Sequence, residues 1–145
     1  MDFFSSMRVS ATGLDAQTMR MNTISSNIAN AETTRTEEGG PYRRKDAVFE
    51  AMPEQKTFGE ILHTEVDRNV NRVQVSDIAV DRKAPLLKYE PNHPDANEEG
   101  YVAYPNINLM EEMTNMIQAT RAYEANVSAM GATKNMAMSA LEIGR

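Results

Sequence analysis

Two stripes of apolar and small residues at helical spacing occupy the two ends of the chain, with polar sequence punctuated by Gly and Pro between them. Near the start, Phe4, Met7, Ala11, Leu14, Thr18, Met21, Ser25 and Ile28 recur at alternating intervals of three and four. That period keeps side chains on one helix face and, sustained over several repeats, builds a coiled-coil seam. Near the end, Leu109, Met113, Met116, Thr120, Tyr123, Val127 and Met130 repeat the pattern. A strict heptad would then place Lys134 on the seam, so the stripe drifts to Thr133, Ala137 and Ala140 before closing near Leu141 and Ile143. The pattern predicts helices over 1–31 and 106–145, paired as a coiled coil.

Helix signals agree with these limits. Asn108 is placed to cap the second helix, and Glu111 three positions on completes a capping-box pattern at the positive helix end. From Asn108 to Ile143 such a helix is roughly 54 Å long, more than a core of this size needs. Small and polar members of the stripes, Ala11, Thr18, Ser25 and Thr120, weaken the seam relative to an Ile/Leu zipper. The two ends are therefore expected to gain contacts, and order, from neighbouring subunits.

The middle reads differently. Residues 32–57 form an extended linker with a candidate strand after Tyr42 and a turn at Met52-Pro53-Glu54-Gln55. Residues 58–105 form a small β-rich region of short runs, Val70 to Val75, Ile78 to Val80 and Leu86-Leu87, followed by an irregular acidic stretch from Tyr89 to Gly100. The fold class is thus mainly α with a small β module. Tyr42, Arg43, Arg44 and Lys45 are a candidate docking site for an acidic neighbour.

Composition narrows the function. Fifteen basic against twenty-one acidic side chains leave a net charge of −6, with no basic stripe, which argues against nucleic acid as a partner. The lack of cysteine removes disulfides, thiolate metal sites and cysteine nucleophiles together. Met1 to Val9 has neither the basic start nor the apolar run of a signal peptide, and no window approaches twenty apolar residues. Export through a cleaved signal and membrane insertion are both unexpected. Six of the eleven methionines fall in the last helix, giving it pliable apolar side chains.

Candidate chemistry is sparse. His63, Glu65 and Asp67 alternate as on one side of a strand, a spacing that gathers metal ligands but equally describes a solvated face. Asp95, Asn97, Glu99 and Gly100 match the first half of a calcium loop, yet its twelfth position is Asn106 where a bidentate Glu is needed. His93 has no nucleophile or third member of a triad nearby in sequence. These patterns predict no enzyme activity, no cofactor and no metal.

Several strings go further than periodicity. Gly13-Leu14-Asp15-Ala16-Gln17 with Ser26-Asn27-Ile28-Ala29-Asn30-Ala31-Glu32-Thr33, and Asn106-Ile107-Asn108-Leu109-Met110-Glu111-Glu112-Met113 with Arg121-Ala122-Tyr123-Glu124-Ala125-Asn126, resemble the terminal signatures of the axial proteins of the bacterial flagellum. Gly40-Pro41-Tyr42-Arg43-Arg44-Lys45, Tyr89 to Ala96 and Gly100 to Asn106 are similar to the proximal rod members of that family. Departures are Ser26 where a second Asn is frequent, Glu32 where Asn is, and Gly131 in a helix.

The resemblance implies a structural subunit of the basal-body rod, polymerising through its terminal helices into the torque-transmitting shaft of the periplasm. It implies type III export without a cleaved signal, and as partners its own copies, other rod proteins, and the export-gate and MS-ring components at the rod base. Its assembly interface would use Phe4, Met7, Leu14, Met21, Asn27, Ile28 and Asn30 of the first helix. From the last it would use Leu109, Met113, Met116, Ile117, Arg121, Tyr123, Asn126, Val127, Met130 and Leu141. The alternative is a secreted coiled-coil adaptor that binds one partner through the same stripes.

Overall fold

The structure, a computed structural model, describes residues 3–53 and 71–143. Helix α1 spans Phe3–Ala29 and helix α2 spans Leu109–Ile143. Between them lie strands β1 (Lys45–Pro53), β2 (Asn71–Val80), β3 (Leu86–Tyr89) and β4 (Tyr101–Tyr104). They form two antiparallel pairs, β1 with β2 and β3 with β4. The chain is mainly helical with a small β region, as the pattern predicts. Among the described residues no helix is long and apolar enough to cross a membrane.

Local chemistry sets the helix ends. Asn30 stops α1 by returning its own side-chain N–H to the Ser26 carbonyl at 2.9 Å, while its Oδ1 accepts from Thr33 Oγ1 at 3.2 Å. Asn108 starts α2 with Oδ1 on the Met110 N–H at 3.1 Å and its carbonyl on the Glu112 N–H at 3.0 Å.

The helices run antiparallel. Asn27 meets Glu112, Thr120 Oγ1 lies 3.8 Å from Met21 Sδ, and Gly13 stands against Asn126. A Cβ at position 13 would sit 3.2 Å from the Asn126 amide, so the glycine leaves the room that this side chain occupies. Continuing that register sets Phe3 beside Met136, so about two turns of α2 reach past the first described residue of α1.

Here the structure corrects the seam. The half-buried and buried positions of α2 include the row Glu112, Met116, Ala119, Tyr123, Asn126, Met130, Thr133 and Ala137, with Asn115 and Ala122 beside it. The heptad period is retained and Met116, Tyr123 and Met130 are shared with the expected stripe, but its other members rotate by one residue. Leu109, Met113, Thr120 and Val127 are exposed instead. The small side chains of Ala119 and Asn126 allow close approach to α1, and Glu112 must face inward to reach its partners. The expected pairing of the two terminal helices is made within one chain, each helix packing on the other. That packing is thin: the buried residues of the pair, Ala16, Thr23, Ile24, Asn27, Glu112 and Ala119, lie in the half nearest the β region.

The β1–β2 ribbon lies on another side of α1. The Val73 N–H donates to Thr12 Oγ1 at 3.4 Å, and the Arg20 guanidinium sits 6.0 Å above the Phe49 ring. Val48 pairs with Asp77 and Phe49 with Val75, which leaves Ser76 as the extra residue of a bulge. The expected division between Val75 and Ile78 is therefore a bulge inside one strand. Met52 and Pro53, expected in a turn, end β1 opposite Arg72 and Asn71, where a proline at a ribbon terminus costs no interior ladder bond. Residues Glu54 and Gln55 of that turn lie outside the described residues, as do 58–70 of the expected β-rich region.

The β3–β4 hairpin is the second ribbon. Its loop is held by Asn97, whose Oδ1 accepts from the Glu99 and Tyr101 N–H groups at 3.1 and 2.8 Å. Lys88 and Tyr104 both donate to Glu90 and hold its carboxyl below the ordinary carboxylate range, so this lock is complete at neutral pH and is lost as pH falls through that depressed value. Gly100 has φ of +81°, and a Cβ there would lie 2.9 Å from the Tyr89 ring and 3.3 Å from Pro91. Gly100→Ala is expected to cost about 1–3 kcal/mol in urea unfolding. Gly39→Ala, also at positive φ but with nothing within 4 Å, should cost less.

Candidate assembly surfaces and the polar junction that positions them

The candidate residues fall into four places. The first is the internal seam, which takes Met116, Tyr123, Asn126 and Met130 of α2, with Met21 of α1 in contact with Thr120. The second is an outer stripe on α2, where Leu109, Met113, Ile117 and Val127 are 44–55 % exposed and Arg121 is exposed beside them. Large apolar side chains in a row on a solvated helix face make a candidate contact surface.

At the far end of the helix pair, Phe3, Phe4, Met136, Ala140 and Leu141 line an apolar groove. Phe4 is 68 % and Leu141 75 % exposed. Met7, Leu14 and Ile28 are half-buried along α1.

The fourth place is a buried polar junction that gathers Asn27, Tyr42, Arg44 and the Lys45 backbone around Glu112. Asn27 is fully buried with every side-chain group used. Its Oδ1 accepts from the Lys45 N–H at 2.9 Å and from the Tyr42 hydroxyl at 3.1 Å. Its Nδ2 donates to the Lys45 carbonyl at 2.7 Å and to Glu112 Oε2 at 3.0 Å. The amide thus pairs with one backbone residue as a neighbouring strand would, tying the end of α1 to the start of β1.

Glu112, 1 % exposed, receives the Arg44 Nε–H on its other oxygen at 2.8 Å. Burial pulls the Arg44 guanidinium down, but the hydrogen bond and charge of Glu112, with Asp46 at 3.3 Å, outweigh it and hold Arg44 above its ordinary value. The carboxylate is paired on both oxygens and out of water.

This arrangement reassigns several candidates. Asn27 joins elements within the chain, and Asn30 terminates α1. Tyr42 is buried and Arg44 is engaged by Glu112, so the expected basic docking site keeps only Arg43, which is exposed, and Lys45, whose ammonium lies 5.7 Å from the Tyr42 ring. Glu112 was missed. The available signal was a carboxylate on the heptad of Met116, Ala119 and Tyr123, where a solvated charge does not belong.

The acidic stretch is likewise internal. Asp95 accepts from Thr34 Oγ1 at 2.8 Å and donates its N–H to His93 Nδ1 at 3.1 Å, which fastens the β3–β4 loop to the linker after α1. His63, Glu65 and Asp67 lie outside the described residues.

Comparison with known proteins matches both ends and the whole. Residues 7–35 fit the model described as flagella basal body rod protein, and residues 98–143 the C-terminal model of the flagellar basal body rod FlgEFG proteins. Flagellar basal-body rod protein FlgC of Bacillus subtilis is 45% identical with 100% of both chains covered. That of Borreliella burgdorferi is 44% identical, covering 99% of this chain and 98% of its own. The Salmonella typhimurium protein is 34% identical over 94% of each. With identity spread over nearly the full length, and with the terminal signatures meeting at the Asn27–Glu112 junction, this chain belongs to the FlgC family of flagellar basal-body rod proteins.

Proposed function

We propose that this chain is a non-enzymatic building block of the flagellar rod, and that the outer stripe and the end groove of its helix pair are the surfaces through which it joins neighbouring subunits into the torque-bearing shaft. The observation that carries this reading is the placement of Leu109, Met113, Ile117 and Val127 on the solvated face of α2, away from the seam. A contact between unlike surfaces, stripe on one subunit and groove on the next, does not close on itself and generates a helical array. Its neighbours are its own copies and other rod proteins, with export-gate and MS-ring components at the rod base. It reaches the basal body through the flagellar type III apparatus without a cleaved signal.

Photo-crosslinking from Met113 and from Met136 in intact cells tests this. Rod subunits captured from both positions are expected. Capture of one soluble partner, with no rod subunit, would replace the shaft role by that of an adaptor.

A further inference from the structure

The seam between α1 and α2 does little by itself to say which residue faces which. Its α2 positions repeat every seven residues, with small members Ala119, Asn126 and Thr133 following Glu112, and Gly13 of α1 stands against Asn126. Sliding α2 by one heptad would set Ala119 or Thr133 against Gly13 with little change in shape. Such a slip displaces one helix along the other by roughly 10 Å.

The polar junction is where a slip becomes costly. In the slip that sets Ala119 against Gly13, Glu112 would lose Asn27 on one oxygen and Arg44 on the other while α1 still covered it; in the opposite slip Asn27 would face Ala119, with no carboxylate to accept from its amide. A buried carboxylate stripped of its partners is among the most unfavourable arrangements available to a folded chain. Arg44 and Asn27 are also tied to Lys45, the first residue of β1, whose ribbon rests on α1. The junction therefore refers both helices to the same point of the β region.

The geometry points to Asn27, Arg44 and Glu112 as register-setting residues: they select one axial alignment of α1 on α2, while the seam supplies packing without choosing. A single buried polar group fixing register is the best attested use of such groups in helix pairs. This goes beyond the assembly role, since it concerns the subunit before any neighbour is present.

The chain contains no cysteine, so introduced pairs report alone. Gly13→Cys is combined in the dilute full-length protein with Asn126→Cys for the native alignment, and with Ala119→Cys or Thr133→Cys for the two slipped ones. With the junction intact, disulfide formation is expected at the 13/126 pair by at least about tenfold over either alternative. In the background Asn27→Leu, Arg44→Met, Glu112→Leu, helical content should persist and the slipped pairs should rise to a comparable yield. A background that still forms only the 13/126 disulfide overturns the proposal, because the linker and ribbon then suffice. Loss of all three disulfides overturns it too, because the junction would then be holding the helices together and not choosing between alignments. As a second variant, Glu112→Gln, which keeps an acceptor toward Asn27, should leave the 13/126 preference in place.

Discussion

Glu112→Ala should lower the unfolding free energy by about 3–5 kcal/mol, the cost of removing one member of a buried ion pair. For a chain of this size that is a fall of roughly 6–20 °C in melting temperature. Three losses combine. Arg44, whose side chain is only 22 % exposed, keeps its charge without Glu112 to balance it, and Asn27 Nδ2 loses one of its two acceptors inside the protein. The vacated space lies between α2 and the buried end of α1, where Thr23, Ile24 and Asn27 are concentrated. Glu112→Gln keeps an acceptor and the packing volume and should cost much less, about 1–2 kcal/mol. Urea unfolding followed by circular dichroism separates the two. An alanine variant within 1 kcal/mol of the parent would mean that water replaces the carboxylate and that the junction is far softer than its geometry says.

Ile117→Asp should have the opposite profile, a subunit that folds and is secreted but is not built into a rod. Ile117 is 55 % exposed and off the seam, so the change should move monomer stability by no more than about 0.5 kcal/mol. In an assembled array the same position would be desolvated, and an unpaired carboxylate there costs several kcal/mol at every repeated contact. Met116→Asp provides the contrast: half-buried on the seam, it should destabilise the subunit itself. Motility, export of the variant chain and recovery in purified basal bodies make the measurement. Normal swimming by the Ile117→Asp strain would remove the outer stripe from the assembly surface.

The two variants exploit a separation that periodicity could not supply. An interval of three and four says that residues share a face, but a helix with apolar groups on two adjacent faces satisfies two heptads offset by one residue. Met116, Tyr123 and Met130 belong to both. Only contact with α1 shows that Glu112, Ala119 and Asn126 complete the inner one and that Leu109, Met113 and Val127 belong to the outer. Hydrophobicity alone favours the wrong choice, because the bulkier side chains lie outside.

The sequence by itself determined the two long helices and the presence of a small β module between them. Those follow from local physics: the spacing of apolar side chains, the side-chain oxygen of Asn108 on free amides, and the competition of Asn30 and its polar neighbours for the last carbonyls of α1. The family signatures were legible as strings for the same reason, since each is contiguous. What they are for was decided by tertiary structure. The Asn27, Tyr42–Lys45 and Glu112 segments are separated by long stretches of chain and meet only when α1, β1 and α2 converge, where each supplies a hydrogen-bond partner the others need. A charge such as Arg44 reads as surface when its neighbours in sequence are all that is known. Inside the fold it is committed, because a buried carboxylate leaves it nowhere better to go.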